Sequence, residues 1–137
     1  MAKFFKGETH VVDVEGKRGA RTLDKLPHTL DLGVVMLPSS GSVEWVQNGA
    51  KMGIKAFVLL TGGFKNHQRK LLSELSREHG VRILGPNTIM GVLNTSNGLN
   101  TTFERDVMPP KGNISVVSQS GGVGAALLDW ACYHQIG

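Results

Sequence analysis

The sequence predicts an α/β fold built as a parallel, doubly wound sheet, and three observations carry the prediction. Apolar runs such as LGVVML and AFVLL are strand-sized and apolar throughout, the mark of strands buried on both faces. They alternate with stretches of helical periodicity. The 18 glycines gather at the ends of those runs, where a backbone turns tightly or approaches a ligand.

In chain order, residues 9–14 (THVVDV) read as a strand, followed by the polar, glycine-punctuated EGKRGARTLDKLP. DLGVVMLP, residues 31–38, is a continuous apolar run ended by proline. SSGSVEWVQNGAKMG then offers serine caps, an apolar stripe at Val43, Val46 and Ala50, and a closing Gly53, which together predict a helix. IKAFVLLTGG is another buried strand ending in a glycine pair. Residues 66–80 predict a second helix, with Leu71, Leu72 and Leu75 on one face, a Lys70–Glu74 pair at i,i+4 and Gly80 as its stop. VRILGPN is a shorter strand broken by Gly85-Pro86. The stretch 88–112 has little periodicity and closes on Pro109-Pro110 and Lys111-Gly112, a connector that can continue neither ladder nor helix. NISVVSQ then predicts a new strand and GVGAALLDWACYH a new helix.

Composition narrows the function classes. The 137 residues suffice for one domain with a real core, and no apolar run approaches the ~20 residues of a membrane span. MAKFFKGETH is charged too soon to be a signal peptide. The single cysteine, Cys132, allows no internal disulfide and no cysteine-based metal motif, so a cytoplasmic setting is expected. The net charge of +4 suits an anionic partner, but Lys and Arg are scattered from Lys3 to Lys111, which argues against nucleic acid. The five histidines lie on different predicted elements without metal-ligand spacing, so no metal is expected. Ser120 is no hydrolase nucleophile, because the elbow needs glycine two residues earlier and Ser118 stands there. No G-x-G-x-x-G follows any strand, which counts against a dinucleotide site of the usual kind. The dispersed carboxylates mark no acid–base pair, and no catalytic residue is assigned.

In doubly wound sheets ligands bind beyond the carboxyl ends of the strands. Four strand-end loops stand out there: EGKRG after Val14, PSSGS after Leu37, TGGFKN after Leu60 and SQSGG after Val117. Each joins small residues, which bring backbone N–H groups close to a ligand, to hydroxyls or a nearby lysine. That chemistry suits phosphate. The same residues also serve as ordinary turns and caps, and composition alone leaves both roles open.

Taken together, IKAFVLLTGGF, VRILGPN, GLNTTF and GNISVVSQSGGVGAALLDWA resemble the NDP-forming acyl-CoA synthetases, the superfamily that includes the succinyl-CoA synthetase α-subunit and archaeal ADP-forming acetyl-CoA synthetases. The resemblance covers nearly the whole chain. It implies a Rossmann-like CoA-binding domain over residues 1–108, without its first strand and glycine-rich loop. Residues 109–137 would then be a connector with the opening strand and helix of a flavodoxin-like, succinyl-CoA ligase-like domain. It further implies coenzyme A as ligand, an acid + CoA + ATP reaction run through an acyl phosphate and a phosphohistidine, and an ATP-grasp part as partner.

By the same resemblance, Lys17 meets CoA phosphates, Leu60, Thr61 and Gly62 form the strand-end segment on CoA, and Pro38 and Ser39 form the turn near the nucleotide. Ser118, Ser120, Gly121 and Gly122 match the helix N-terminus that receives the phosphate of the phosphohistidine. Gly62 replaces the acidic residue of succinyl-type members, and Thr88 stands where cysteine is common. None of the five histidines matches the phosphorylated one, so the expectation is a chain inactive alone, working as part of a ligase. The alternative is a non-catalytic CoA-binding or assembly module. In either case a sheet lacking its first strand leaves an edge for another chain, and a homo- or hetero-oligomer is expected.

Overall fold

The computed structural model of the chain describes residues 3–13, 19–27 and 30–137. Two compact units divide it: Glu8–Asn87, and Met1–Gly7 together with Thr88–Gly137. The first holds a parallel sheet of β1 (Leu32–Val35), β2 (Ala56–Leu59) and β3 (Arg82–Leu84), in the order β1-β2-β3. Parallel neighbours need long crossovers, and helices α1 (Ser39–Lys51) and α2 (Asn66–His79) supply them. This is the parallel α/β class that the sequence predicts, but burial on both faces holds only for the central strand β2, while β3, at the sheet edge, leaves Arg82 and Leu84 exposed. The register sets Val35 opposite Leu59 and Val58 opposite Leu84, so the three strands reach their carboxyl ends side by side.

The core lies between the sheet and its helices. Val46 and Ala50 of α1 and Leu72 and Leu75 of α2 pack with Val35, Ile54, Phe57, Leu59, Phe64 and Val81. Phe57 is 2% exposed, and two glycines make room for its ring. A Cβ on Gly33 would sit 2.8 Å from Phe57 Cδ1, and one on Gly49 would sit 2.9 Å from Cε1. Full burial of such a side chain contributes about 2–3 kcal/mol.

Helix ends follow the sequence with two corrections. Gly53 and Gly80 close α1 and α2 with positive φ of 100° and 63°, and Lys70 Nζ lies 4.0 Å from Glu74 Oε1. The serines, however, do not cap α1. Pro38 holds the cap position, and Ser39 and Ser40 already belong to the first turn. Leu71 is exposed rather than on the buried face, because one residue advances the helix by 100° and carries it off the Leu72–Leu75 stripe.

Two predicted strands also differ. Of residues 9–14, Val12 makes a single bridge to Ala20, with Asp13 N donating to Ala20 O and Ala20 N to Val11 O; Val14 falls outside the described residues. Residues 113–119 form no strand. A strand exists through its ladder, and no partner for this segment occurs among the described residues, so Ile114, Val116 and Val117 are exposed.

The second unit carries a two-stranded antiparallel hairpin, β4 (Leu93–Asn94) with β5 (Leu99–Asn100), and helix α3 (Gly121–His134). A buried polar knot begins at Asn100, the last residue of β5. Asn100, 2% exposed, donates through Nδ2 to the carbonyls of Glu104 at 2.9 Å and Val107 at 3.0 Å. Its Oδ1 accepts from Thr102 N at 2.9 Å and Thr102 Oγ1 at 2.7 Å. Thr101 Oγ1 accepts from Val92 N at 2.7 Å. The GLNTTF segment thus holds strand β5 and, beyond it, a turn whose buried polar side chains are satisfied by one another and by nearby backbone groups. No helix among the described residues is long and apolar enough to cross a membrane.

Candidate functional site

At the carboxyl edge of the three-stranded sheet, hydrogen bonds join the three strand-end loops. The Thr61 hydroxyl, just past β2, donates to Leu37 O at 2.7 Å, and Asn87 N, just past β3, donates to Thr61 O at 2.9 Å. Thr61 is the hub. Ser42 Oγ also reaches Leu37 O, at 2.9 Å, and Pro38 O, at 3.0 Å, so the Leu37 carbonyl is held from two sides. Leu60 N donates to Val35 O at 3.1 Å, continuing the β1–β2 pairing to the rim.

Glycine at position 62 serves a close approach. A Cβ there would lie 2.9 Å from Asn87 Oδ1. Both Gly62 and Gly63 are exposed, and Gly63 takes a φ of 78°, so the chain presents bare backbone at the rim. Helices α1 and α2 both begin at this edge, each with the partial positive charge of its first turn. A proline cap gives the first-turn amides of α1 no side-chain acceptor.

Of the residues singled out from the sequence, Pro38, Ser39, Leu60, Thr61 and Gly62 come together at this rim. Pro38 and Gly62 are exposed, Ser39 and Thr61 half-buried, and Leu60 buried with its side chain in the interior. Lys17 lies outside the described residues. Two participants escaped the sequence reading. Asn87 closes the rim from β3 with a φ of 68°, and Gln68 joins the first turns of α1 and α2. A Gln three residues beyond a helix cap is a readable half of a capping box. Its second contact, to Ser39 O across 29 positions, exists only in the fold.

In the other unit, Ser118, Ser120, Gly121 and Gly122 gather at the start of α3. Ser120 is the cap, its Oγ accepting from Val123 N at 3.3 Å, and Ser118 Oγ accepts from Ser120 N at 3.2 Å and donates to Ser120 O at 3.0 Å. Gly121 and Gly122 are therefore the first residues of the helix and not a turn before it. Among the described residues, no heavy atom beyond its two chain neighbours and the backbone of its own helix lies within 4 Å of where a Cβ on Gly122 would be.

A parallel sheet with glycine turns and helix N-termini along its carboxyl edge places this domain in the α/β class whose ligand sites lie, as a rule, beyond that edge. Residues 8–94 match the family described as CoA binding domain, and the chain belongs to that family. It is similar to the ADP-forming acetate–CoA ligase of Methanocaldococcus jannaschii, 38% identical over 112 residues that make up 79% of this chain and 16% of the relative. The α-subunit of ADP-forming acetate–CoA ligase II of Pyrococcus furiosus is 30% identical over 131 residues, 91% of this chain and 28% of the relative. Among solved structures, the protein PH0766 of Pyrococcus horikoshii superposes with a TM-score of 0.85 at 28% identity, over 98% of this chain and 33% of that one. The chain thus spans less than a third of the length of the two curated relatives.

Proposed function

We propose that this chain is the CoA-binding part of an NDP-forming acyl-CoA synthetase, the enzyme that converts acid, CoA and ATP reversibly to acyl-CoA, ADP and phosphate. The observation that carries the reading is the Thr61-centred junction at the carboxyl edge, which lies inside the stretch that matches the CoA-binding family. The residues there fit the ligand. Bare backbone at Gly62 and Gly63 and two helix N-termini can approach a phosphorylated group without steric or electrostatic penalty. Pro38, Ser39, Leu60, Thr61 and Gly62 would hold CoA at this rim, and Lys17 would meet its phosphates. When bound, CoA supplies the thiol that accepts the acyl group.

Ser118, Ser120, Gly121 and Gly122 would receive a phosphate at the start of α3. The open space beside Gly122 supports this; the Ser120 cap, which already occupies the Val123 amide, supports a plain structural cap instead. Phosphate titration followed by amide NMR separates the two. Selective shifts at Ser120, Gly121 and Gly122 are expected, and an unchanged spectrum at tens of millimolar anion leaves only the cap.

In this reading, residues 1–108 act as the CoA-binding domain and 109–137 open the next one, in a cytoplasmic enzyme whose ATP-grasp part is a partner domain or subunit. Association with that partner or with another copy is supported by Val123, Trp130 and Tyr133 of α3, all more than half exposed. The chain is inactive alone because its histidines do not coincide with the phosphorylated one of the resemblance. Isothermal calorimetry tests the binding: CoA should bind, and Lys17→Ala and higher salt should both weaken it by reducing attraction to the phosphates. No heat at millimolar CoA would overturn the reading, and acyl-CoA formed from ATP, CoA and a short acid by this chain alone would overturn the claim of inactivity.

A further inference from the structure

Gln68 is the third residue of α2, and both ends of its amide are in use. Oε1 accepts from Lys65 N, the cap of its own helix, at 2.9 Å. Nε2 donates to Ser39 O, in the first turn of α1, at 2.8 Å. The partners decide which end is which, since an N–H needs the oxygen and a carbonyl needs the NH₂. We infer that Gln68 is a positioning residue for CoA, a clasp that sets the spacing between the first turns of α1 and α2.

This role presupposes CoA at this edge, as proposed above. Two adjacent helix N-termini carry partial charges of the same sign, which favour drawing apart. Thr61 ties the loops only at their strand ends, by way of Leu37 O. Between that tie and the helices run Pro38 on one side and residues 62–65 on the other, including Gly63 in a left-handed conformation. The shared core holds α1 and α2 together further along, through Val46, Ala50, Leu72 and Leu75, and a second polar tie is left to set their first turns. Gln68 supplies it at the helix level and links Ser39, on one side of the rim, to the Lys65 turn on the other. A ligand that touches both sides binds a preorganised surface, and the ordering cost is met in folding.

Three full-length proteins test this: wild type, Gln68→Met and Gln68→Glu. Methionine keeps length and helix propensity but has neither donor nor acceptor for these contacts. Glutamate keeps the acceptor for Lys65 N and loses the donor to Ser39 O. Each is assayed for CoA affinity by calorimetry and for folding by urea titration, at conditions where all three are fully folded. Gln68→Met, which loses both bonds, should weaken CoA binding by at least roughly two- to ten-fold, the range of the bond to Ser39 O alone. Gln68→Glu should be weakened similarly at pH 7 and regain affinity relative to wild type as pH falls through the range where the carboxyl protonates and becomes a donor. Wild-type affinity in folded Gln68→Met, or no pH-dependent recovery in Gln68→Glu, would overturn the clasp while leaving CoA binding intact. A wild type that does not bind CoA would overturn both.

Discussion

The Thr61 hydroxyl donates to the Leu37 carbonyl at 2.7 Å, tying the end of β2 to the end of β1 across 24 positions of chain. The bond is half-buried and its acceptor is shared with Ser42. Replacing Thr61 by Val keeps the β-branched shape and deletes the donor. Urea unfolding should then show a loss of about 1 kcal/mol, while Thr61→Ser retains most of the stability. CoA affinity should fall in Thr61→Val and hold in Thr61→Ser. Equal behaviour of the two variants would mean that the hydroxyl does not organise the rim.

Asn100 offers a sharper stability test. Its buried amide satisfies two carbonyls with Nδ2 and accepts from the N–H and hydroxyl of Thr102 with Oδ1. Asn100→Leu leaves those groups without partners in a place water does not reach, and about 3 kcal/mol of destabilisation is expected. Chemical denaturation with a probe in this unit, such as Trp130 fluorescence, would measure it. A loss below about 1 kcal/mol would show that the turn does not depend on its side-chain knot.

Phe57 and Gly49 form a steric pair in the core. Gly49→Ala would place a methyl 2.9 Å from the Phe57 ring, and overpacking of this kind costs about 1–3 kcal/mol. Phe57→Leu alone should also destabilise, by removing buried ring contacts. In the double variant the smaller side chain makes room for the methyl, so the two losses should sum to more than the combined effect. Strict additivity in a double-mutant cycle would argue that ring and glycine do not press on each other.

Lys3 Nζ lies 2.6 Å from Asp106 Oδ1, and this hydrogen bond, reinforced by the lysine charge, holds the Asp106 carboxyl below its ordinary range. Both side chains are well exposed, so salt screens the pair. Because the folded-state pKa is depressed, any stabilisation is present above the unfolded-state value and disappears as pH falls through the folded one. Carboxyl NMR should place the Asp106 titration low in wild type and return it to the usual range in Lys3→Ala or at high salt. An identical midpoint in Lys3→Ala would exclude the lysine as the cause.

The α/β class was already fixed by the order of residues, because apolar runs of strand length that alternate with helical stripes are accommodated by a parallel sheet with helical crossovers. That order also placed Gly53 and Gly80 at helix ends, since positive φ is a local demand met by a local residue. The rim residues Pro38, Ser39, Leu60, Thr61 and Gly62 were legible as strand-end punctuation and through family resemblance. How those loops connect emerges only in the folded chain. The contacts Thr61–Leu37, Asn87–Thr61 and Gln68–Ser39 join positions 24 to 29 residues apart, and no periodicity encodes them. The same reason explains the strands predicted over residues 9–14 and 113–119. Apolar alternation measures a segment's preference for pleated, half-buried surroundings. A ladder also needs a neighbour, and the fold supplies one to β1, β2 and β3 but only a single bridge to Val12 and none among the described residues to Val116.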